Sequence, residues 1–339
     1  MLHDKKITHV ESIRGIAALM VVMFHFISFT DGKIFLFESG TIRKISEFGA
    51  QGVEMFYIIS GFVMIVALKR SNYNIKKYFT YLIKRGIRIL PTFWFTILLI
   101  CFVSFSLNTF LWKIPYDWNF RNIITNATFT ADLFHLEWIN PIFITLKIEL
   151  QFYLLIGLIF PIWNTNFISK LCLVLLFLTL TFFSTDYNNI IKYLPYFLTG
   201  MLTHEIYTAK KIKNICLLLL PFSYILKYNN LEDVSIVSIT ILFILFPFNR
   251  IRIINKTGAY SYSLYLTHGV SGGWLLYFMT LYFGNKLNIL FFIIAIVFSF
   301  MFAFFTYKLI EKPTLNLSQK IIYSKSLKLN LLQLISKKS

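Results

Sequence analysis

The chain has 339 residues, of which 57% are hydrophobic and only 14% are charged. Soluble domains are about half apolar and about a quarter charged, so this composition excludes an ordinary soluble protein and indicates an integral membrane protein. The formal net charge of +18 does not require a nucleic-acid partner, because basic residues of membrane proteins gather on cytoplasmic loops.

Apolar runs long enough to cross a bilayer recur along the chain. A membrane helix needs about 20 mostly apolar residues, and this rule predicts an all-α, polytopic protein with about ten transmembrane helices. The first run follows Lys5 and Lys6 as a signal peptide would, but no small-residue cleavage site follows it, so we predict a retained helix. We place the helices near 12–30, 50–68, 90–109, 139–162, 171–185, 190–208, 214–228, 234–248, 258–283 and 287–310.

The lysines and arginines fall mainly on one side of these predicted helices. With a cytoplasmic N-terminus, 24 of the 33 basic residues lie in inside segments, 8 lie in outside segments, and Lys147 lies within a helix. This bias follows the positive-inside rule and predicts that both termini are cytoplasmic. It also explains the net charge, so we expect the lipid bilayer, and no nucleic acid, as a partner. We divide the chain into a membrane domain (1–313) and a basic amphipathic cytoplasmic tail (314–339).

Two ionisable residues lie in the first predicted helix. Arg14 and His25 are eleven positions apart, which places them on one helix face about 16 Å apart along the axis. Because an ionisable side chain inside a membrane is costly, each is a candidate functional residue. Arg14 lies at the cytoplasmic end, where an anchor obeying the positive-inside rule is the alternative. For His25 the alternative is a histidine hydrogen-bonded to a neighbouring helix.

Further charged residues stand near the ends of the second and third helices. Glu54, at the start of the antiparallel second helix, reaches about the depth of His25, where a carboxylate can orient an imidazole acting as general base. The alternative for Glu54 is an interfacial carboxylate. Arg85 and Arg88 share one helix face before Pro91, which suits a first helical turn. Paired guanidiniums bind phosphate well; the alternative is a basic loop attracted to anionic lipid.

Glu149 and His268 fall at the same predicted depth as His25 and Glu54. Agreement in depth among four helices is more informative than any one residue. Lys147 and Glu149 are two positions apart and do not face each other on a helix, so the role of Lys147 stays open. No zinc-type spacing, nucleotide-binding loop or Gly-x-Ser-x-Gly elbow is present, and we expect no metal. We interpret the remaining histidines as structural: His3, His9, His135 and His204.

Six short motifs follow one another along the chain: Ser12-Ile-Arg14-Gly-Ile-Ala-Ala up to His25, Gly52-Val-Glu54-x-Phe-Tyr-x-x-Ser-Gly-Phe62, Arg85-x-x-Arg88-x-x-Pro91, Leu146-x-x-Glu149-x-x-Phe-Tyr153, Tyr262-Ser-Leu-Tyr-Leu-x-His268 and Glu311-Lys-Pro313. In this order they resemble membrane acyltransferase family three, which includes O-acetyltransferases of O-antigen, capsule, peptidoglycan and nodulation factors. The resemblance implies a ten-helix membrane domain and acetyl-CoA as cytoplasmic donor. It also implies that Arg14 and His25 are required and that Arg85 and Arg88 contact the CoA phosphates.

One motif departs from the family. Relatives commonly have Trp-Ser-Leu before the glutamate of the fourth motif, whereas this chain has Ile144-Thr145-Leu146 followed by Lys147. This departure weakens any detailed role inferred for that segment.

We therefore expect a membrane O-acyltransferase of the bacterial cytoplasmic (inner) membrane. It would transfer an acetyl group from acetyl-CoA to a hydroxyl of a cell-envelope polysaccharide, with a glycan or lipid-linked glycan as acceptor. Intramembrane His and Glu also serve proton relays, so the alternatives are a proton-coupled transporter or flippase of glycan precursors and a non-catalytic subunit of an export assembly. The expected catalytic residues are His25, Glu54, Glu149 and His268, and the expected donor-binding residues are Arg14, Arg85 and Arg88.

Overall fold

The structure is a computed structural model that describes residues 8–28, 40–111, 119–186, 188–246, 252–284 and 287–321. Within these residues every regular element is a helix. The α-helices are α1 (Thr8–Ser28), α2 (Gly40–Glu47), α3 (Gly52–Arg70), α4 (Tyr78–Leu111), α5 (Phe120–Ala127), α6 (Ile142–Trp163), α7 (Phe167–Phe183), α8 (Ile190–Ala209), α9 (Ile212–Tyr228), α10 (Leu231–Leu245), α11 (Arg252–Ala259), α12 (Ser261–Thr267), α13 (Trp274–Phe283), α14 (Asn288–Thr306) and α15 (Lys312–Lys320). Two π-helical turns span Gly269–Gly273 and Tyr307–Glu311.

Several helices are long and apolar enough to cross a membrane. Each of the ten predicted segments coincides with a helix or a series of helical turns among the described residues, which confirms the all-α, multi-pass class. The number of crossings and the cytoplasmic termini stay predictions. In the part of the chain that the structure describes, five stretches are long and apolar enough to cross a membrane: His9–Ile27, Lys44–Arg70, Ile75–Ser106, Ile142–Trp163 and Asn288–Lys320.

Helix α4 begins earlier than predicted. The sequence places Pro91 in a first turn, whereas α4 begins at Tyr78 and contains Pro91 in its interior. The prediction was wrong because distant contacts set this helix start: the hydroxyls of Tyr78 and Tyr81 donate to backbone carbonyls of α6 at 3.2 and 3.1 Å. Arg85 and Arg88 therefore lie inside a long helix and not at its entrance.

The segment predicted as one helix over 258–283 is broken. Tyr260 separates α11 from α12 with non-helical backbone angles (φ −114°, ψ 21°), and a π-helical turn separates α12 from α13. A hydropathy average over about 20 residues does not mark such breaks, although Gly269, Gly272 and Gly273 cluster at the second one. The predicted tail boundary at 313/314 falls within α15, and residues 322–339 lie outside the described residues. The tail therefore stays a prediction.

The chain divides into two compact units. Unit 1 comprises Met1–Val21, Ile45–Leu82 and Ile148–Ala259. Its central packing is the contact of α3 with α8, where an added Cβ on Gly61 would lie 2.2 Å from the Phe197 carbonyl oxygen and one on Gly200 would lie 1.9 Å from that of Ile58. Only glycine permits backbones to approach this closely, as is common between membrane helices.

Unit 2 comprises Val22–Lys44, Ile83–Lys147 and Tyr260–Ser339. Helices α12, α13 and α14 and the two π-helical turns form much of it. Its close-packed glycine is Gly272, where an added Cβ would lie 2.0 Å from Ser299 Oγ and 2.4 Å from the Ala295 carbonyl oxygen. The π-helical turn after His268 is therefore pressed directly against α14.

Candidate active site

Two histidines meet in unit 2. His25 comes from α1 and His268 from the end of α12, and their ring centroids are 5.0 Å apart at an interplanar angle of 55°. His268 is fully buried, whereas His25 is half-buried. Phe26 and Tyr265 pack beside the His268 ring. The structure thus brings together two of the predicted site residues.

The hydrogen bonds of His268 fix its tautomer. Its Nδ1 lies 3.1 Å from the Leu264 carbonyl oxygen, and a carbonyl only accepts, so Nδ1 bears the proton and donates it. In the neutral ring Nε2 is then an acceptor. Among the described residues this buried Nε2 has no hydrogen-bond partner. A buried acceptor without a donor is costly and marks a position for a proton or a polar ligand.

The π-helical turn after His268 follows from the local sequence. Gly269, Gly272 and Gly273 lower the cost of a wider turn, and π-turns occur often at functional sites. Gly272 permits the contact with α14 described above. Because a π-helical turn is wider than an α-helical one, the residues after His268 continue at a different rotation about the helix axis than they would in a regular α-helix.

Glu311 anchors the other end of α12. Its Oε2 accepts hydrogen bonds from the Ser263 backbone N–H at 3.1 Å and from Ser263 Oγ at 2.5 Å. The first N–H groups of a helix have no partner within it, so the Glu311 carboxylate caps α12 from a distant part of the chain. The Glu311-Lys-Pro313 motif is thereby connected to the helix that ends at His268.

The predicted donor-binding arginines are also in unit 2. Arg85 and Arg88 are half-buried side chains of α4. Beside them, the Tyr262 hydroxyl donates to the Ile89 carbonyl oxygen at 3.0 Å, which ties the start of α12 to α4 next to Arg88. His268 follows Tyr262 by six positions, or about 9 Å of helical rise.

Arg14 lies in unit 1, half-buried on α1. Helix α1 is continuous from Thr8 to Ser28, so Arg14 and His25 belong to one helix as predicted. Gly15, next to Arg14, faces Gly258 of α11. A Cβ added to Gly258 would lie 1.8 Å from the Glu11 carbonyl oxygen of α1. This close crossing explains why a glycine follows the arginine in the first motif.

Glu54 and Glu149 lie in unit 1 and have different surroundings. Glu149 accepts hydrogen bonds from Ser60 Oγ at 2.7 Å and from the Tyr153 hydroxyl, so the Ser60-Gly61 and Tyr153 positions of two motifs meet at this carboxylate. Glu54 has a fully buried Oε2 that receives no hydrogen bond from the residues the structure describes. The predicted support of His25 by Glu54 stays a prediction.

A family comparison decides the class of the protein. The family model described as an acyltransferase domain, acyltransferase family 3, matches residues 7–308, a range that contains five of the six motifs. The chain belongs to acyltransferase family 3. Comparisons with curated proteins and with solved structures give no significant match. The chain is therefore a multi-pass membrane acyltransferase.

The family departure at Thr145 preserves a hydroxyl. Thr145 Oγ1 donates to the Ile142 carbonyl oxygen at 2.7 Å, so the bond of 2.5 Å between Thr145 Oγ1 and the Tyr265 hydroxyl uses the tyrosine as donor. A serine in the usual acyltransferase motif offers the same acceptor. The fourth and fifth motifs therefore meet through this hydrogen bond in unit 2.

Lys147, the other departure from the acyltransferase motif, has a structural partner. Its Nζ forms an ion pair with Asp132 and lies 5.6 Å from the centre of the Trp138 ring. Trp138 Nε1 donates to the second oxygen of Asp132 at 2.7 Å. Lys147 thus holds the segment before α6 to the helix itself.

Sequence reasoning missed two polar clusters of unit 1. His204, interpreted from the sequence as structural, is buried beside Glu205. Glu205 forms ion pairs with Lys69 at 2.7 Å and with Lys170. Asn229 connects Tyr196 and Asp233. The second cluster had a signal in Asp233, an acidic residue at the edge of an apolar run. His3 lies outside the described residues.

Proposed function

We propose that this acyltransferase moves an acetyl group from cytoplasmic acetyl-CoA to a hydroxyl of a cell-envelope polysaccharide, such as O-antigen or capsule, in the bacterial cytoplasmic membrane. The observation that supports the proposal best is the contact of His25 with His268, whose ring centroids are 5.0 Å apart. Both residues belong to the same unit as Arg85 and Arg88. A base and a phosphate-binding pair are the two parts that such a transfer requires.

His25 is the general base in this proposal. It is half-buried and hence reachable by substrate, whereas His268 is fully enclosed. His25 removes the proton of the acceptor hydroxyl while the hydroxyl oxygen attacks the carbonyl carbon of the thioester. The C–O bond forms, the C–S bond breaks, and His25 returns the proton to the departing CoA thiolate. The products are an acetyl ester and CoA, and no further reactant is needed.

The remaining predicted residues have supporting roles. Arg85 and Arg88 are half-exposed guanidiniums on one face of α4, which suits bidentate binding of the donor phosphates. Arg14 is proposed to assist them. Glu54 is proposed to stabilise the imidazolium that forms at His25. Glu149, fixed by Ser60 and Tyr153, is proposed to hold the catalytic helices in register.

The test compares envelope glycans of cells that lack the gene with cells that express the wild-type chain or His25→Ala. Mass spectrometry and NMR should find an acetyl ester only with the wild-type chain, because general-base catalysis contributes about 10²- to 10⁴-fold. His135→Asn is the matched control, since His135 is exposed with a left-handed φ of 52° that asparagine tolerates. Wild-type acetylation by a membrane-inserted His25→Ala protein would disprove the assignment.

The donor site has a separate test. Arg85→Gln and Arg88→Gln should each raise the KM for acetyl-CoA about 10-fold or more with a smaller effect on kcat, because hydrogen bonds to charged groups contribute about 1.5–3 kcal/mol. Acetyl-CoA lacking its 3′-phosphate serves as the probe. If Arg85 or Arg88 binds that phosphate, its variant should show a smaller difference in KM between the two donors than the wild type does. A difference as large as that of the wild type in both variants would show that the arginines do not bind the phosphate.

A further inference from the structure

A polar cluster of unit 1 lies mostly outside the chemistry described so far, in which only its member Glu54 has a proposed role. It consists of Glu54 from α3, Tyr196 from α8, Asn229 at the end of α9 and Asp233 from α10, and we call it the tyrosine–carboxylate cluster. Tyr196 is 3% exposed and Asp233 is 9% exposed. Polar groups enclosed by apolar helices are costly unless a partner satisfies them, so the cluster requires an explanation.

Three members of the cluster, Tyr196, Asn229 and Asp233, are joined by hydrogen bonds. Asn229 Nδ2 donates to the Tyr196 hydroxyl oxygen at 2.8 Å and to Asp233 Oδ2 at 3.4 Å. Since the Tyr196 oxygen accepts, its own proton remains available for another acceptor. Glu54 and Asp233 both lie within electrostatic range of Tyr196. The tyrosine–carboxylate cluster therefore combines one tyrosine donor with two carboxylates.

Glu54 supplies the other half of a binding site. Its Oε2 is fully buried, and the residues that the structure describes offer it no hydrogen bond. A carboxylate oxygen accepts hydrogen bonds only, so a bound hydroxyl group would satisfy it. The donor at Tyr196 and the acceptor at Glu54 lie on two helices, α8 and α3, that pack closely at Phe197 and Gly61, and together they match the paired donor and acceptor character of a hydroxyl.

Aromatic rings flank these polar groups. The Tyr57 ring, one turn along α3 from Glu54, lies 5.1 Å from the Tyr193 ring and 4.9 Å from the Phe197 ring, measured between centroids. Ligand sites typically combine aromatic walls with a few fixed polar groups. A pyranose has the complementary chemistry, because its C–H face packs on aromatic rings while its hydroxyls donate and accept at the rim.

We propose that the tyrosine–carboxylate cluster binds a sugar ring of the acyl acceptor. Glu54 Oε2 accepts a hydrogen bond from one sugar hydroxyl, and the Tyr196 hydroxyl donates one to a sugar oxygen. Asn229 positions Tyr196 and does not touch the sugar. The identity of the bound sugar as the acceptor rests on the proposed acetyl transfer, whereas sugar binding itself does not.

The test measures binding without any donor. The full chain in lipid nanodiscs is titrated with methyl glycosides of glucose, galactose and rhamnose, and saturation-transfer NMR reports binding. We expect saturable binding of at least one glycoside, weakened about fivefold in Tyr196→Phe and in Asn229→Ala, the effect of one neutral hydrogen bond. Asn230→Ala is the matched control, because Asn230 is exposed and its side chain makes no capping hydrogen bond.

The outcomes separate this proposal from the acetyl transfer. Glycoside binding without acetyl transfer in the same preparation overturns the proposed reaction and leaves the sugar site standing. Acetyl transfer without glycoside binding, and with an unchanged acceptor KM in Tyr196→Phe, overturns the sugar site alone. Equal binding by the wild type and both cluster variants, with only lower thermal stability, would show that the cluster is a structural hydrogen-bond network.

Discussion

Removing the Glu311 carboxylate should loosen the helix that ends at His268. Glu311 is 9% exposed and accepts two hydrogen bonds from Ser263 in the first turn of α12. Its negative charge at a helix N-terminus is also favourable. We predict that Glu311→Ala lowers both the stability of the protein and kcat, because α12 determines where the His268 ring lies.

The magnitude follows from the two bonds. A hydrogen bond to a charged group contributes about 1.5–3 kcal/mol, so Glu311→Ala should cost about 3–6 kcal/mol of unfolding free energy, the sum of both bonds. Ser263→Ala removes only the hydroxyl bond and should cost about 1.5–3 kcal/mol. Native proteins are stable by about 5–15 kcal/mol. The alanine variant of Glu311 should therefore be strongly impaired, and the Ser263 variant moderately.

The assay is a double-mutant cycle in detergent micelles, with unfolding followed by circular dichroism as denaturing detergent is added. Ser263→Ala should cost little in the Glu311→Ala background, because the partner of the hydroxyl is already gone. Ser318→Ala is the control: this buried hydroxyl donates within α15 to the Leu315 carbonyl oxygen at 2.7 Å. Additive losses for Ser263 and Glu311 would refute the capping argument.

Three further predictions concern the same unit. Gly272→Ala should lower stability by about 1–3 kcal/mol, measured by the same detergent unfolding, since the added Cβ would lie 2.0 Å from a side-chain oxygen of α14. Gly273→Ala is the control and should be tolerated, because its added Cβ would lie 3.6 Å from the nearest atom. Lys147→Met should cost about 1–3 kcal/mol by removing the cation that pairs with Asp132, yet leave kcat within about twofold. Asp132→Asn added to it should recover stability, and a large kcat loss would contradict the structural role. His268→Phe keeps the aromatic ring beside His25 but removes both ring nitrogens, and it should lower kcat about fivefold, the effect of one neutral hydrogen bond, with little change in KM for acetyl-CoA; unaltered turnover would exclude His268 from the chemistry.

The sequence was most informative where a residue is unusual for its surroundings. His25 and His268 stand out because an ionisable group in an apolar helix is costly, and counting residues from the helix ends placed both at one depth. In the structure the centroids of the two rings lie 5.0 Å apart. Depth alone does not give the direction in which a side chain points, so it could not distinguish this contact from others at the same level.

Partners distant in the chain were beyond sequence reasoning. Lys147 was compared with Glu149, two positions away, but its partner Asp132 comes from the segment before α6. The bonds of Tyr196 to Asn229 and of Glu311 to Ser263 join residues 33 and 48 positions apart. Helical periodicity relates only positions three or four apart, so it carries no information about such pairs.

The two histidines also constrain the chemistry that they can perform. Two imidazolium charges 5.0 Å apart would repel by about 3 kcal/mol even at an effective dielectric constant of about 20. The pair therefore accommodates one added proton far more readily than two. His268 donates Nδ1–H to a carbonyl and is fully enclosed, so the ring that substrate can reach is that of His25. This asymmetry favours His25 as the base that takes and returns a single proton. The repulsion between two imidazolium rings disfavours a second proton on His268 at the same time.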